Sequence, residues 1–295
     1  MTLPESIVNY FDSKVVQSYQ VPLVGVNLIA KGDPLPPGTG RITRDQVSNF
    51  TGKAKRGYRV RTVPREMAER IPKTVTVVEH TYGFEMHRKV LELYERQGET
   101  ALNGQDATQC GRVIAQSLDD IIFNGDKNAG VKGIFSDAGL TPYVVPTGHE
   151  WNNTSGAAPD TTIVAAMAEL AGPQLYTNMD TKLALNPSAY WELFKRVPNT
   201  SNTYMDYVAK FFKNGQDDIV QASNLPVASG LLCYYDPLVA ERNVEEEINT
   251  RVVNGGVPDK EDMIYFNGAT FQATDIHHLD AFLPLNNLID TTLPL

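Results

Sequence analysis

The chain has only two cysteines in 295 residues, Cys110 and Cys233, so a disulfide framework and a four-cysteine zinc site are both excluded. Each stands among apolar neighbours and reads as a reduced, buried thiol, which suits a reducing cytoplasm. No stretch approaches the roughly 18 apolar residues of a membrane span, and "MTLPESIVNYFDSK" has neither the basic start nor the apolar middle of a signal peptide. Basic charge is in short supply as well. Lysine and arginine number 26 against 35 aspartates and glutamates, for a net charge of −9. That balance argues against a dedicated nucleic-acid-binding protein, whose phosphate contacts need a basic surface.

Catalytic patterns are missing too. None of the five histidines falls in H-x-x-x-H or H-E-x-x-H spacing, and there is no G-x-S-x-G elbow or G-x-G-x-x-G opening a βαβ unit. The best metal candidate is "DIHHLDAF", with Asp275, His277, His278 and Asp280. Adjacent strand residues point to opposite faces, so one ion cannot easily take both histidines, and they read as ordinary surface or interface groups. The expectation is no enzyme, no cofactor and no metal.

The glycine-rich stretch "IIFNGDKNAGVKGI" at 121–134 invites comparison with a phosphate loop. Gly125 and Gly130 fit G-x-x-x-x-G, but Val131 stands where lysine belongs and Gly133 where serine or threonine does. A calcium loop from Asp126 fails equally, with Val131 at the position that needs glycine. Moreover, the stretch comes after a helix rather than a strand: Cys110, Ile114, Leu118, Ile121 and Ile122 recur at helical spacing. The glycines therefore read as structural turn residues. Gly125 stops the helix, and Gly130 and Gly133 turn the chain into the next domain.

What the chain does have is separated charge. Residues 40–65 hold eight basic residues against Asp45, a charge of +7 that leaves −16 for the rest. Alternation in "YRVRTV" and the turn signals of "FTGKAKRGY" make this a long basic hairpin with little core of its own. Residues 236–262 hold eight acids, Glu245, Glu246 and Glu247 among them, against three bases. Complementary patches of this kind meet between subunits, the alternatives being an internal contact or a nucleic-acid-facing loop. Around them the pattern predicts an arm over 1–40, a strand at "TVTVVEHTYGF", and a helix at "EMHRKVLELYERQG". It also predicts a helix at "AAPDTTIVAAMAELAG" capped by Asp160, and one at "NPSAYWELFKRV" capped by Asn186. A β-rich C-terminal third completes the α+β pattern.

The order of these elements resembles the major capsid proteins of tailed phages, the Hong Kong 97 fold, which encapsulin nanocompartments share. The likeness rests on "LELYERQGETALNGQDATQCGRVIAQSLDDIIFNGDKNAGVKGIFSDAGLT", a long helix succeeded by G-V-x-G-[IL], then on "LALNPSAYWELF" and "SNLP". It implies an N-terminal arm at 1–40 and an extended loop (E-loop) at 41–78. A peripheral domain would take 79–134 and 236–295, with spine helix 103–124, and an axial domain 135–235. It further implies a structural protein that assembles through pentamers and hexamers into an icosahedral shell around double-stranded DNA, as a virion capsid built in the host cytoplasm. A portal and a separate scaffolding protein are expected partners, since no long charged leader precedes the arm, and a decoration protein has a place. Membrane is not expected. Arg56, Arg59 and Arg61 of the loop are then expected to dock on Glu245, Glu246 and Glu247 of a neighbouring subunit. The alternatives are an encapsulin-type shell around protein cargo and a soluble α/β enzyme with its site near "DIHHLDAF". The N-terminal segment does not resemble the cargo-recruiting helix of encapsulins, which favours the viral branch.

Overall fold

The computed structural model describes residues 24–47, 67–87, 89, 105–135, 140–153, 158–171, 180–252 and 263–292. Two sheets organise them. Sheet one runs in the order β1–β9–β10–β4, with β1 Ala30–Lys31, β9 Ala240–Val252, β10 Met263–Ile276 and β4 Val78–His87. Sheet two runs β5–β11–β8–β6–β7, with β5 Tyr143–Val144, β11 Phe282–Asn286, β8 Gly230–Tyr234, β6 Thr181–Leu185 and β7 Ile219–Gln221. A separate two-stranded hairpin pairs β2 Arg41–Val47 with β3 Arg70–Thr76.

A short turn of helix, α1 Gly25–Leu28, precedes β1, and the long helix α2 Gln105–Asn124 lies on one face of sheet one. Its apolar stripe, Cys110, Ile114, Leu118, Ile121 and Ile122, is buried, as the helical spacing requires. His80 of β4 meets Ser117 at 2.9 Å, and the Cys110 thiol donates to the Tyr82 carbonyl at 3.1 Å. At its C-terminal end α2 reaches the core of sheet two, where Ile121, Ile122 and Phe123 join Leu183, Leu185, Leu231, Leu232 and Phe282 in one apolar cluster. Buried Asp119 ties three segments together. It accepts from the amides of Val24 and Gly25 at the start of α1 and from the Asn224 side chain beside sheet two. Burial outweighs these bonds and pushes its carboxyl above the ordinary range.

Several local expectations change. The predicted strand over 74–84 is two strands that switch partners at Val77: β3 pairs with β2, and β4 with β10. The helix expected from Glu85 does not begin there, because Glu85, Met86 and His87 continue β4 opposite Tyr265, Ile264 and Met263. Helix α3, Pro159–Ala171, starts ahead of Asp160, whose carboxylate accepts from Thr161 within the first turn instead of capping it. Helix α4, Pro187–Glu192, has the expected Asn186 cap and Pro187 start but ends early. The chain folds back there, with the Tyr204 amide on the Lys195 carbonyl and Asn199 at φ 62°, and leads into helix α5, Tyr204–Val208. Strand β11 lies in sheet two beside β8, because its Phe282, Leu283 and Leu285 find their apolar neighbours there.

Candidate assembly surface

The described strands of the basic hairpin pair with each other and with neither of the two larger sheets. Its strands pair from Arg41 opposite Thr76 to Val47 opposite Arg70, and only Val75 among its described side chains is buried. Arg56, Arg59 and Arg61 lie outside the described residues.

What holds the root is charge. Lys73 donates to the Asp275 carboxylate at 3.0 Å and to the Ile276 carbonyl at 2.7 Å, while Arg44 pairs with Glu241. The carboxylates are buried, their side chains only 4% and 9% exposed, whereas both cations reach them from the half-open side. His277 lies between, with Nδ1 3.5 Å from Asp275 and Nε2 3.6 Å from Glu241 and 3.5 Å from Arg44. Burial, the largest influence, pushes the imidazole below its ordinary pKa; Asp275 opposes this, and Lys73, Arg44 and His278 add to it. Glu241, Asp275 and His277 bring ligand-type atoms close together, but two cations already neutralise the carboxylates, so the cluster is an ion-pair network. His278 turns elsewhere, 3.9 Å from Asp280. The sequence motif thus supplied two members of this network, and Arg44, Lys73 and Glu241 came from three other strands.

The acidic run sits on β9, and the chain's own arm engages part of it. The Gly32 and Leu35 amides donate to the carbonyls of Arg242 and Val244, extending the β1 pairing along the strand edge. Glu245 accepts from the Gly38 amide at 2.6 Å, and Glu247 pairs with Lys31 at 2.9 Å, both ends of that pair well exposed. Glu246 accepts from the Asn249 side chain at 3.4 Å. The face of sheet one away from α2 carries exposed Glu79, Thr81 and Glu85 on β4 and exposed Asn267 on β10. This acidic face was not singled out in the sequence. Its signal is the alternation of Glu79, Thr81, Gly83 and Glu85 with His80, Tyr82 and Phe84.

The glycine-rich stretch closes α2. Gly125 stands at φ 70° immediately after the helix, its amide on the Ile121 carbonyl. Asp126 and Val131 exchange two 2.9 Å backbone bonds around a tight turn that includes Gly130 at φ 70°. The returning chain then donates from Ile134 and Phe135 to the carbonyls of Ile122 and Phe123. Gly133 passes so close that an added Cβ would lie 2.7 Å from the Phe123 carbonyl oxygen and closer still to the Gly125 nitrogen. The last helical carbonyls are therefore satisfied by the chain's own return.

Neither thiol is poised for chemistry. Burial raises the pKa of both, that of Cys233 to about 12, so the thiolate is scarce at neutral pH. No helix among the described residues is long and apolar enough to cross a membrane.

Comparison with known proteins agrees with this architecture. A virus-like particle from Pyrococcus furiosus superimposes with a TM-score of 0.60 at 14% identity, covering 90% of this chain and 95% of that one. The capsid of Myoviridae phage XM1 gives 0.68 at 11% identity, covering 97% and 98%. Mycobacterium phage Ogopogo gives 0.62 at 16%, covering 92% and 94%. No curated protein matches in sequence. These likenesses establish the α+β Hong Kong 97 fold. The family model described as encapsulating protein for peroxidase matches residues 3–238, most of the chain. This protein therefore belongs to the family of encapsulating proteins for peroxidase and carries the Hong Kong 97 fold.

Proposed function

We propose that the chain is a major capsid protein, a structural subunit that assembles with copies of itself into a closed icosahedral shell. The observation that supports this best is likeness to a phage capsid over nearly the full length of both chains. In that reading sheet one with α2 is the peripheral domain, sheet two the axial domain, and 41–78 the extended loop. Pentamers and hexamers form by burying surface between copies, typically on the order of 1,200 to 2,000 Å² per interface. Arg56, Arg59 and Arg61 dock on a neighbour's Glu245 to Glu247 and on the acidic face beside them. Each exposed pair is worth only about 0 to 1 kcal/mol, so repetition around the shell supplies the effect. The double variant Arg59→Glu with Arg61→Glu is expected to leave a folded subunit, by circular dichroism, that forms no closed particles in negative-stain micrographs. Normal particles from it would remove the docking proposal.

The content proposed first is double-stranded DNA, with the shell as a virion capsid assembled in the host cytoplasm with a portal, a separate scaffolding protein and room for a decoration protein. A second reading, protein cargo in a nanocompartment, is favoured specifically by the family match. Nuclease-protected DNA in particles from the native source supports the first. Particles free of DNA that co-purify with a stoichiometric protein support the second, and an activity confined to a monomer would favour an enzyme.

A further inference from the structure

The hairpin root touches the body of the subunit through an ion-pair network and through very little apolar surface. Arg44 on β2 and Lys73 on β3 face Glu241 on β9 and Asp275 on β10, and His277 lies among all four. The remaining titratable neighbours are His278 and Asp280 just beyond, and Glu169 of α3, which lines the same open cavity of about 590 Å³ as both histidines. With His277 neutral, two cations and two carboxylates cancel. The distances fit the tautomer with its Nδ1–H toward Asp275 and bare Nε2 toward the Arg44 guanidinium. The covalent link to the body on the β3 side is equally narrow, since the strand changes partners at Val77, whose amide bonds to the Gly40 carbonyl inside the hairpin.

We propose that these five groups form an acid-opened latch: with His277 neutral they clamp the hairpin root on sheet one, and a proton on His277 adds an unbalanced charge that frees β2 and β3 to swing about Val77. The consequence for a shell rests on the capsid reading, because the same hairpin is the element that reaches the neighbouring subunit. The sign comes from burial. A histidine held neutral in the closed state and free to charge in the open one favours closure above its ordinary pKa. That advantage is lost as pH falls below it.

Hydrogen exchange of the full chain tests this, read on peptides covering 41–47 and 70–76 and normalised to the β8 peptide. From about pH 7.5 to about pH 5 the hairpin of the unaltered chain is expected to lose protection roughly tenfold, while β8 holds. His277→Gln is expected to keep hairpin protection at both values. Should that variant lose β8 protection as well, the pair Arg44→Met with Lys73→Met decides: the latch requires low hairpin protection already at the higher pH and no further loss on acidification. An unaltered hairpin indifferent to pH, a His277→Gln chain that opens like the unaltered one, or a double variant with full protection overturns the latch. Micrographs of the same samples keep the two ideas apart. A pH-sensitive hairpin in a chain that never forms shells removes only the shell reading, and shells with a pH-indifferent hairpin remove only the latch.

Discussion

In sheet two every residue of β8 is buried, and Leu183, Leu185, Leu231 and Leu232 are fully enclosed between the apolar faces of neighbouring elements. In sheet one the middle of β10 alternates instead: Phe266, Gly268 and Thr270 are buried under α2, while Asn267 is exposed and Ala269 and Phe271 are half-buried on the other face, before a buried run from Gln272 to Ile276. The buried positions of sheet one are also more polar. Thr270 donates to the Glu246 carbonyl at 2.6 Å, Gln272 to the Thr270 hydroxyl at 2.9 Å, and Arg242 to the Gln272 side chain at 2.6 Å. Apolar burial is strong and indifferent to direction, whereas such networks fix register and respond to charge. A subunit with one sheet of each kind has one half held by apolar burial and one held in larger part by polar networks, and the hairpin is attached to the second.

The junction between the halves is the place where a small change has the largest effect. Gly133→Ala is expected to prevent folding outright, because its Cβ would meet backbone that cannot move without unwinding the end of α2. Recovery only in the insoluble fraction is the expected outcome. A soluble protein with native circular dichroism would show that the two halves tolerate separation at this turn. Within sheet two, Leu232→Ala is expected to cost about 2 to 5 kcal/mol, by transfer and by the cavity left behind. Urea unfolding measures it. A loss below about 1 kcal/mol would mean that sheet two is looser than its burial implies.

The two halves also differed in how far the sequence revealed them. Helix α2 was legible because buried apolar residues repeat at helical spacing, as in Cys110, Ile114 and Leu118, and the β-rich C-terminal third because an apolar run such as "GLLCYY" marks a buried strand. The placement of β11 was not legible, since an apolar strand carries no mark of which sheet it joins. Nor was the latch, whose members come from four strands and the turn after β10, up to 233 residues apart. The partner switch at Val77 left no turn residue to signal it, only an uninterrupted run of β-branched residues. Gly133 was singled out as a turn residue, but its physical need, space against Gly125 rather than a special φ, shows only once the return strand is in place.

The smallest expected effect lies on the exposed edge of sheet one, where the arm meets the acidic run. Lys31 and Glu247 pair at 2.9 Å with side chains 61% and 62% exposed, so water and salt screen most of their attraction. The backbone bonds from Gly32 and Leu35 to β9 are untouched by a side-chain change. Lys31→Ala is therefore expected to shift subunit stability by less than about 1 kcal/mol, a difference that should shrink further in high salt. Its more informative effect is on Glu247, which loses its partner within the chain and becomes more available to a basic loop from a neighbour. Assembly tracked by light scattering is expected to be unchanged or slightly faster. A marked slowing would mean that the arm, rather than the neighbour's hairpin, is the productive partner of this edge.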